Sequence, residues 1–364
     1  MNTIGSLSGS YQNQDKDQNK EQHQDKPESK NEKILLGVSS CLLGEKVRYD
    51  GAHKKNNYIL ETLGKYFAFY SFCPEMAIGM GVPRETIRLV ELNAGNDNAQ
   101  VRVIGIKDPV FDVTTKLASI ADDQADWLPH VFGYILKKGS PSCGMERVKQ
   151  YRVTNAASNH VEIDPQEWTY HVEHHGTGLF AKSLLQNHPN LPLEEEGRLC
   201  DPVLRENFVN RVFAYKRWHD DVLVDPSWKA ITDFHARHKW ILFSHDQDKS
   251  RALGSELAQL HTQDLGITLK WYIAGFMQIM KIPATRKNHV NVLEHIRGYL
   301  KTEISNQDKA ELSESIEDYR QGLLPLIVPL TLLRHHFRNH PDTYIERSWY
   351  LHPHPKQLML LNQL

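Results

Sequence analysis

The chain has 364 residues, of which 40% are hydrophobic and 24% charged, with 43 Lys and Arg against 45 Asp and Glu. That length fits two domains, or three, with enough apolar content for a sizeable core. A formal net charge of −2 argues against a protein that coats nucleic acid or membrane unspecifically, so an anionic partner must be met by a local basic patch.

Four cysteines in a chain of this length do not make a disulfide framework. Met1 to Ser10 has no basic start and no apolar run, so no signal peptide is expected. The longest apolar stretch, Leu323 to Leu333, is too short to span a bilayer and holds Pro325 and Pro329. The expectation is a cytoplasmic protein with reduced thiols, where clustered cysteines favour metal binding or catalysis. Of 20 histidines, 12 lie beyond residue 200, which reads as a drift in usage and marks no site.

Taken in order, residues 1–32 are a polar tail of Gln, Asn, Asp, Lys and Glu, expected to be disordered. From Lys33 to Asn187 strand and helix signals alternate. Ile34-Leu35-Leu36-Gly37-Val38, Tyr66 to Phe72 and Val131 to Lys137 read as strands, as do Thr86 to Leu92 and Gln100 to Ile106. Asn57 to Lys65, Asp112 to Asp126 and Leu179 to Gln186 read as helices, with Asp112 as a cap. Asn93 to Asn98 reads as a turn, and Arg147 to Val161 fits no single pattern. This alternation predicts an α/β domain with a mostly parallel sheet and helices on both faces. Residues 188–202, with Pro189, Pro192 and the acidic run Glu194-Glu195-Glu196, read as a linker. Helical periodicity follows at Arg205–Trp218, Trp228–Trp240, Ser250–His261, Thr268–Met280, Lys287–Leu300 and Asp308–Arg320. These segments predict an all-α C-terminal domain over 203–364, ending in a helix near Pro329 to Asn339 and a packed tail.

Cys41, Cys73 and Cys143 each follow one of the apolar runs and enter loop sequence: Ser40-Cys41-Leu42-Leu43-Gly44, Cys73-Pro74-Glu75 and Gly139-Ser140-Pro141-Ser142-Cys143-Gly144. Ligands of open α/β sheets gather at the carboxyl ends of strands, so the three thiols point to one site. Three thiolates are one short of an all-cysteine iron–sulfur cluster, which would leave one iron open. Two other readings stand beside this one. The cysteines can be buried structural residues, or they can hold zinc with a histidine such as His53.

Glu75 lies two residues from Cys73 and is a candidate general base or acid. Ser140 and Ser142 flank Pro141 and can hydrogen-bond a substrate atom, although serines in such loops commonly serve the turn. Arg48 and Asp50, in Val47-Arg48-Tyr49-Asp50-Gly51, either meet a polar ring or form a structural ion pair. Arg84 is a candidate for binding a base or phosphate. Cys200 has no strand before it and is left out of the cluster. In the helical half, Lys281, Arg286, Lys287, Arg297 and Lys301, with His289 and His295, outnumber Glu294 and follow Trp271 and Tyr272. They form a candidate RNA contact, and otherwise a solvated helix face.

These motifs, with Val47-Arg48-Tyr49-Asp50-Gly51, make residues 33–187 resemble the thiouracil desulfidase (TudS-like) family. Residues 203–320 resemble the YbgA-like helical domain family, on Asp201-Pro202-Val203-Leu204-Arg205-Glu206-Asn207-Phe208 and the Leu324-Pro325-Leu326-Ile327-Val328-Pro329-Leu330 ending. Fused in this order, the two resemble tRNA 4-thiouridine desulfidases. The resemblance implies a [4Fe–4S] cluster on Cys41, Cys73 and Cys143, with one open iron, and catalytic roles for Glu75 and Ser140. It implies hydrolytic, non-redox removal of sulfur as hydrosulfide, from tRNA or from a free thiopyrimidine, with no redox partner. The helical domain is expected to present tRNA. A metal-supported binding module is the non-enzymatic alternative.

Overall fold

Short runs of branched and aromatic residues form the strands at Ile34–Ser39, Phe67–Phe72 and Tyr134–Leu136. The computed structural model describes residues 33–93, 99–120, 126–155, 164–358 and 360–362. The expected tail, most of the 93–98 turn and the end of the 112–126 helix lie outside these residues. In chain order the strands are β1 (Ile34–Ser39), β2 (Phe67–Phe72), β3 (Ile87–Leu92), β4 (Gln100–Gly105), β5 (Tyr134–Leu136), β6 (Val148–Val153), β7 (Tyr170–Gly176) and β8 (Leu193–Glu195). The first helices are α1 (Pro74–Ala77), α2 (Thr114–Ser119) and α3 (Leu179–Asn187).

One sheet has the order β2-β1-β5-β8 and is parallel throughout. β1 is internal to it, with Ile34 opposite Phe67 and Ser39 opposite Phe72. Gly37 pairs with Tyr134 across the other edge of β1. A Cβ on Gly37 would run into the Tyr134 ring. β3 and β4 do not join this sheet. They pair antiparallel and form a second, mixed sheet of order β4-β3-β6-β7. The segment 57–65 is a π-helical turn followed by a 3-10 turn, not one regular helix. Asp112, expected as the N-cap, lies one residue before the N-cap Val113 and accepts Thr114 N–H at 2.8 Å.

The segment read as a linker contributes β8, which pairs Leu193 with Tyr134 and Glu195 with Leu136. Glu194 and Glu195 are only 2% and 4% exposed. Their burial is tolerated because each carboxylate has partners. Glu194 meets Arg198 at 2.6 Å and Arg211 at 3.7 Å. Glu195 accepts the N–H groups of Met145 and Glu146 at 2.7 and 3.2 Å. Burial still pushes the Glu195 carboxyl up.

The C-terminal part is helical: α4 (Pro202–Trp218), α5 (Trp228–His245), α6 (Gln247–Gln259), α7 (Leu265–Lys281), α8 (Arg286–Gly298), α9 (Asn306–Gln321), α10 (Ile327–Asn339) and the short α11 (Thr343–Glu346). Most of these helices start at a side-chain cap. Asp201 accepts the N–H groups of Val203 and Leu204, with Pro202 in the first turn. Ser305 and Asp308 make a reciprocal capping box. α4 serves both halves of the molecule. Phe208, Val209 and Val212 pack with Leu36, Val38 and Ile135 of the parallel sheet. Ala214 and Trp218 belong to the helical core. Lys33–Leu364 is accordingly one compact unit.

Candidate active site

The parallel sheet places three loops side by side at the carboxyl ends of adjacent strands. Cys41 sits in the turn that leaves β1, Cys73 directly follows β2 and caps α1, and Cys143 lies in the loop after β5. All three line one pocket of about 600 Å³, together with Glu75, Arg84 and Ser140. Cys41 and Cys143 are buried, and Cys73 is half-buried. Burial pushes the Cys41 thiol up to about 11, and the neighbouring Cys73 adds to the shift. Cys73 is raised chiefly by burial as well. Cys143 is raised well above the ordinary thiol range by burial, then by Cys73 and Glu75. The mutual influence follows from their shared pocket.

The cysteine loops are held from behind. Ser140 Oγ accepts the N–H groups of Ser142 and Cys143 at 3.2 and 3.3 Å. At the amino end of α3, Leu179 N–H bonds Pro141 O at 3.1 Å and Ala181 N–H bonds Ser142 O at 3.2 Å. Gly178 comes so close that a Cβ would stand 2.5 Å from Ser142 O. Lys54 N–H donates to Cys41 O at 2.8 Å.

Glu75 is gripped from two sides. Its Oε1 accepts Ser142 Oγ–H at 2.5 Å and lies 3.3 Å from Ser140 Oγ. Its Oε2 accepts Arg84 Nε–H at 2.9 Å and also bonds Arg84 Nη2. Arg84 in turn donates Nη1–H to Val47 O at 2.8 Å and Gly81 O at 3.0 Å. The two serine hydroxyls are 2.9 Å apart. Ser142 is fully buried behind the wall to which Ser140 belongs. A chain of polar oxygens therefore runs from the pocket surface through Ser140 and Ser142 to Glu75.

The donor set discriminates between metals. A structural zinc site takes four protein ligands, commonly with histidine beside cysteine. The pocket lining offers three thiols and no histidine. His53 is exposed, outside the pocket lining, and its Nδ1 accepts Lys55 N–H at 3.2 Å. A multi-iron cluster, with its thiolates on separate irons, fits the three-thiol set.

Residues 36–196 match the family model described as 2-thiouracil desulfurase. The uncharacterized protein YbbK of Bacillus subtilis (strain 168) is 30% identical over 114 residues, which is 30% of this chain and 73% of YbbK. The chain belongs to the 2-thiouracil desulfurase family. Its helical half matches a second model over residues 239–355, a protein of unknown function (DUF1722). There the uncharacterized protein YbgA of Escherichia coli (strain K12) is 30% identical over 151 residues, 41% of this chain and 89% of YbgA. Among solved structures, the [4Fe-4S]-dependent thiouracil desulfidase TudS is 30% identical, aligning 47% of this chain with 94% of its own at a TM-score of 0.31.

Within this desulfurase-family pocket the structure brings together Cys41, Cys73, Cys143, Glu75, Ser140, Ser142 and Arg84. Arg84 enters as the clamp on Glu75. Asp50 is outside the lining: it sits in an exposed turn, accepts Ala52 N–H at 3.1 Å and pairs with Arg48 at 3.7 Å. Cys200 is exposed and outside the lining. Sequence reading missed Ser39, which accepts Lys137 N–H at 3.0 Å and hydrogen-bonds the Cys143 thiol. It also missed Lys54, Lys138 and Lys149, exposed cations on the pocket wall without an ion pair among the described residues. Lys138 was signalled by its place just past β5.

The basic residues of the helical half differ in their contacts. Lys281 donates to Pro189 O at 3.0 Å, and burial lowers its ammonium. Arg297 pairs with Glu294 at 2.6 Å. Arg286 lies over the Tyr319 ring, and Lys287 is exposed. Trp271 is a partner of the helical core and Tyr272 is inside it. No membrane-crossing helix, long and apolar enough, occurs among the described residues.

Proposed function

We propose that this pocket removes sulfur from the thiocarbonyl of a pyrimidine by hydrolysis, with 4-thiouridine in tRNA as the principal substrate. One observation carries the reading: three thiols and the Glu75–Ser142–Ser140 chain converge in one pocket of a desulfurase-family fold. The reaction exchanges C=S for C=O. Water supplies the oxygen, sulfur leaves as hydrosulfide, and no oxidant or reductant is consumed.

Cys41, Cys73 and Cys143 would hold a [4Fe–4S] cluster, which would supply a Lewis acid with affinity for sulfur. Glu75 takes the proton from the water that attacks the ring carbon. Arg84 fixes the carboxylate so that Oε1 stays turned toward Ser142 and Ser140. Ser140 already accepts two backbone N–H groups, which leaves its own hydrogen free to bond Glu75, Ser142 or the substrate. It orients the ring or passes a proton along the serine pair.

Support for a phosphate-bearing substrate comes from Lys54, Lys138 and Lys149 on the pocket wall, where cations can meet a nucleic-acid backbone. A base in folded tRNA must be turned out of its stack to reach such a pocket. The family description, 2-thiouracil desulfurase, favours a second substrate reading, a free thiopyrimidine. Nucleoside mass analysis of bulk tRNA before and after anaerobic incubation with cluster-loaded protein tests the first reading. It expects 4-thiouridine to fall as uridine rises. Unchanged tRNA, with turnover of free thiouracil, assigns the pocket to small molecules.

A further inference from the structure

The helical half contains a cavity that the desulfurase reading does not use. It measures about 180 Å³ and lies where the amino half of α4 meets the end of α5, the start of α8 and the end of α9. Six side chains give it its chemistry: Glu206, Asn210, His245, Arg286, His289 and Tyr319. Glu206 and Asn210 share one stripe of α4, at helical neighbour spacing.

Arg286 is the first residue of α8 and is half-buried. Among the described residues it has neither hydrogen bond nor ion pair; its guanidinium lies over the Tyr319 ring, 5.5 Å from the centroid, and against Gly322 at the end of α9. A half-buried guanidinium without a counter-ion is costly and calls for an anion. Asn210 Oδ1 is a buried acceptor without a donor, which also has a cost. His245 Nδ1 is tied to Ile282 O, and His289 Nδ1 lies 2.8 Å from the Tyr350 hydroxyl. Burial pushes these imidazoles down to about 4 and about 3, so near neutral pH both are uncharged hydrogen-bonding groups. Glu206 accepts Leu361 N–H at 3.0 Å, and burial raises its carboxyl.

A ligand that satisfies both groups offers acceptor oxygens to Arg286 and a hydroxyl to Asn210. It must also be small, since the cavity falls below the roughly 300–1,000 Å³ of ordinary drug-sized sites. We propose that this cavity is a second ligand site, which binds a singly protonated phosphate group through Arg286 and Asn210. A second ionisation near pH ~6 keeps that form accessible in a desolvated site. Inorganic phosphate and the 5′-phosphate end of an RNA share this chemistry.

Titration calorimetry on the full chain tests the site with two probes, inorganic phosphate and a short RNA carrying a 5′-phosphate, with its 5′-hydroxyl counterpart as reference. The wild type is expected to bind at least one phosphate probe, and Arg286→Gln to weaken that binding at least about tenfold. Asn210→Ala provides a second variant should Arg286→Gln lose its helical circular dichroism, and is also expected to bind more weakly. Lys270→Gln, on an exposed part of α7, is expected to bind as wild type. Binding of inorganic phosphate identifies a free-anion site; binding confined to the 5′-phosphorylated RNA identifies an RNA end. The proposal is overturned if neither probe binds, or if both substitutions leave affinity unchanged. Either result leaves the desulfurase reading untouched.

Discussion

Arg84 holds one oxygen of Glu75, with Nε 2.9 Å from Oε2, while the other oxygen faces Ser142 and Ser140. Only 4% of the Arg84 side chain and 14% of Glu75 are exposed. The clamp divides the carboxylate into a structural oxygen and a working oxygen. Glu75→Gln keeps the shape and removes the base. Turnover is expected to fall by about 10²–10⁴-fold, with iron content unchanged. Steady-state rates on thiopyrimidine, paired with iron analysis, check this.

Arg84→Met leaves Glu75 half-buried without its counter-ion. Breaking a buried pair on one side costs about 3–5 kcal/mol, and partial exposure of Glu75 places this case at the lower end. Urea unfolding gives the stability loss. Activity is expected to fall at least about tenfold through misplacement of Oε1, with Arg84→Lys intermediate.

The cysteine loop rests on Gly178. Gly178→Ala places a methyl 2.5 Å from Ser142 O, so the loop or α3 must shift. Iron incorporation is expected to drop, although no cysteine has changed. Equal iron loading in the variant would show that the loop tolerates the displacement.

Much of this site was legible in the sequence. The strands before Cys41, Cys73 and Cys143 announce themselves because a parallel sheet buried on both faces needs unbroken apolar runs. The helices of the C-terminal half were legible from periodicity, and their caps sharpen the boundaries. β8 was hidden because Glu194 and Glu195 are acidic. Their burial depends on nearby Arg198, on Arg211 of α4 and on the Met145 and Glu146 N–H groups far back in the chain, and no apolar run announces a strand here. β7 was hidden for a related reason: Tyr170 to Gly176 is half histidine and glutamate, and only two of its side chains turn partly inward besides Gly176. The contacts of the basic residues were hidden too, because Lys281 bonds Pro189 O and Arg286 lies over the Tyr319 ring, partners remote in the chain.

The buried Glu194–Arg211 contact predicts non-additive energetics. Burial lowers the Arg211 guanidinium to about 10, opposed by Glu194. Glu194→Ala is expected to cost about 3–5 kcal/mol by stranding that charge. A double-mutant cycle with Arg211→Met should recover part of the loss.

The histidines of the helical half predict a pH dependence of stability. Burial lowers His235, His245, His352 and His354 from 6.5 to about 4, and His289 to about 3. The unfolded chain therefore binds more protons than the folded one below the ordinary histidine value. This stability is fully present above about pH 6.5 and is lost as pH falls toward about 4. Urea midpoints measured across that window should fall with acidity, and midpoints that hold constant or rise would contradict the buried neutral imidazoles.

Hydrosulfide released per thiopyrimidine consumed, in anaerobic cluster-loaded protein compared with Cys73→Ser, tests the central claim most directly. The account predicts one hydrosulfide for each oxygen-containing pyrimidine formed by the wild type, and none from the variant. Intact protein that releases no hydrosulfide, or a variant that turns over at the wild-type rate, would contradict it.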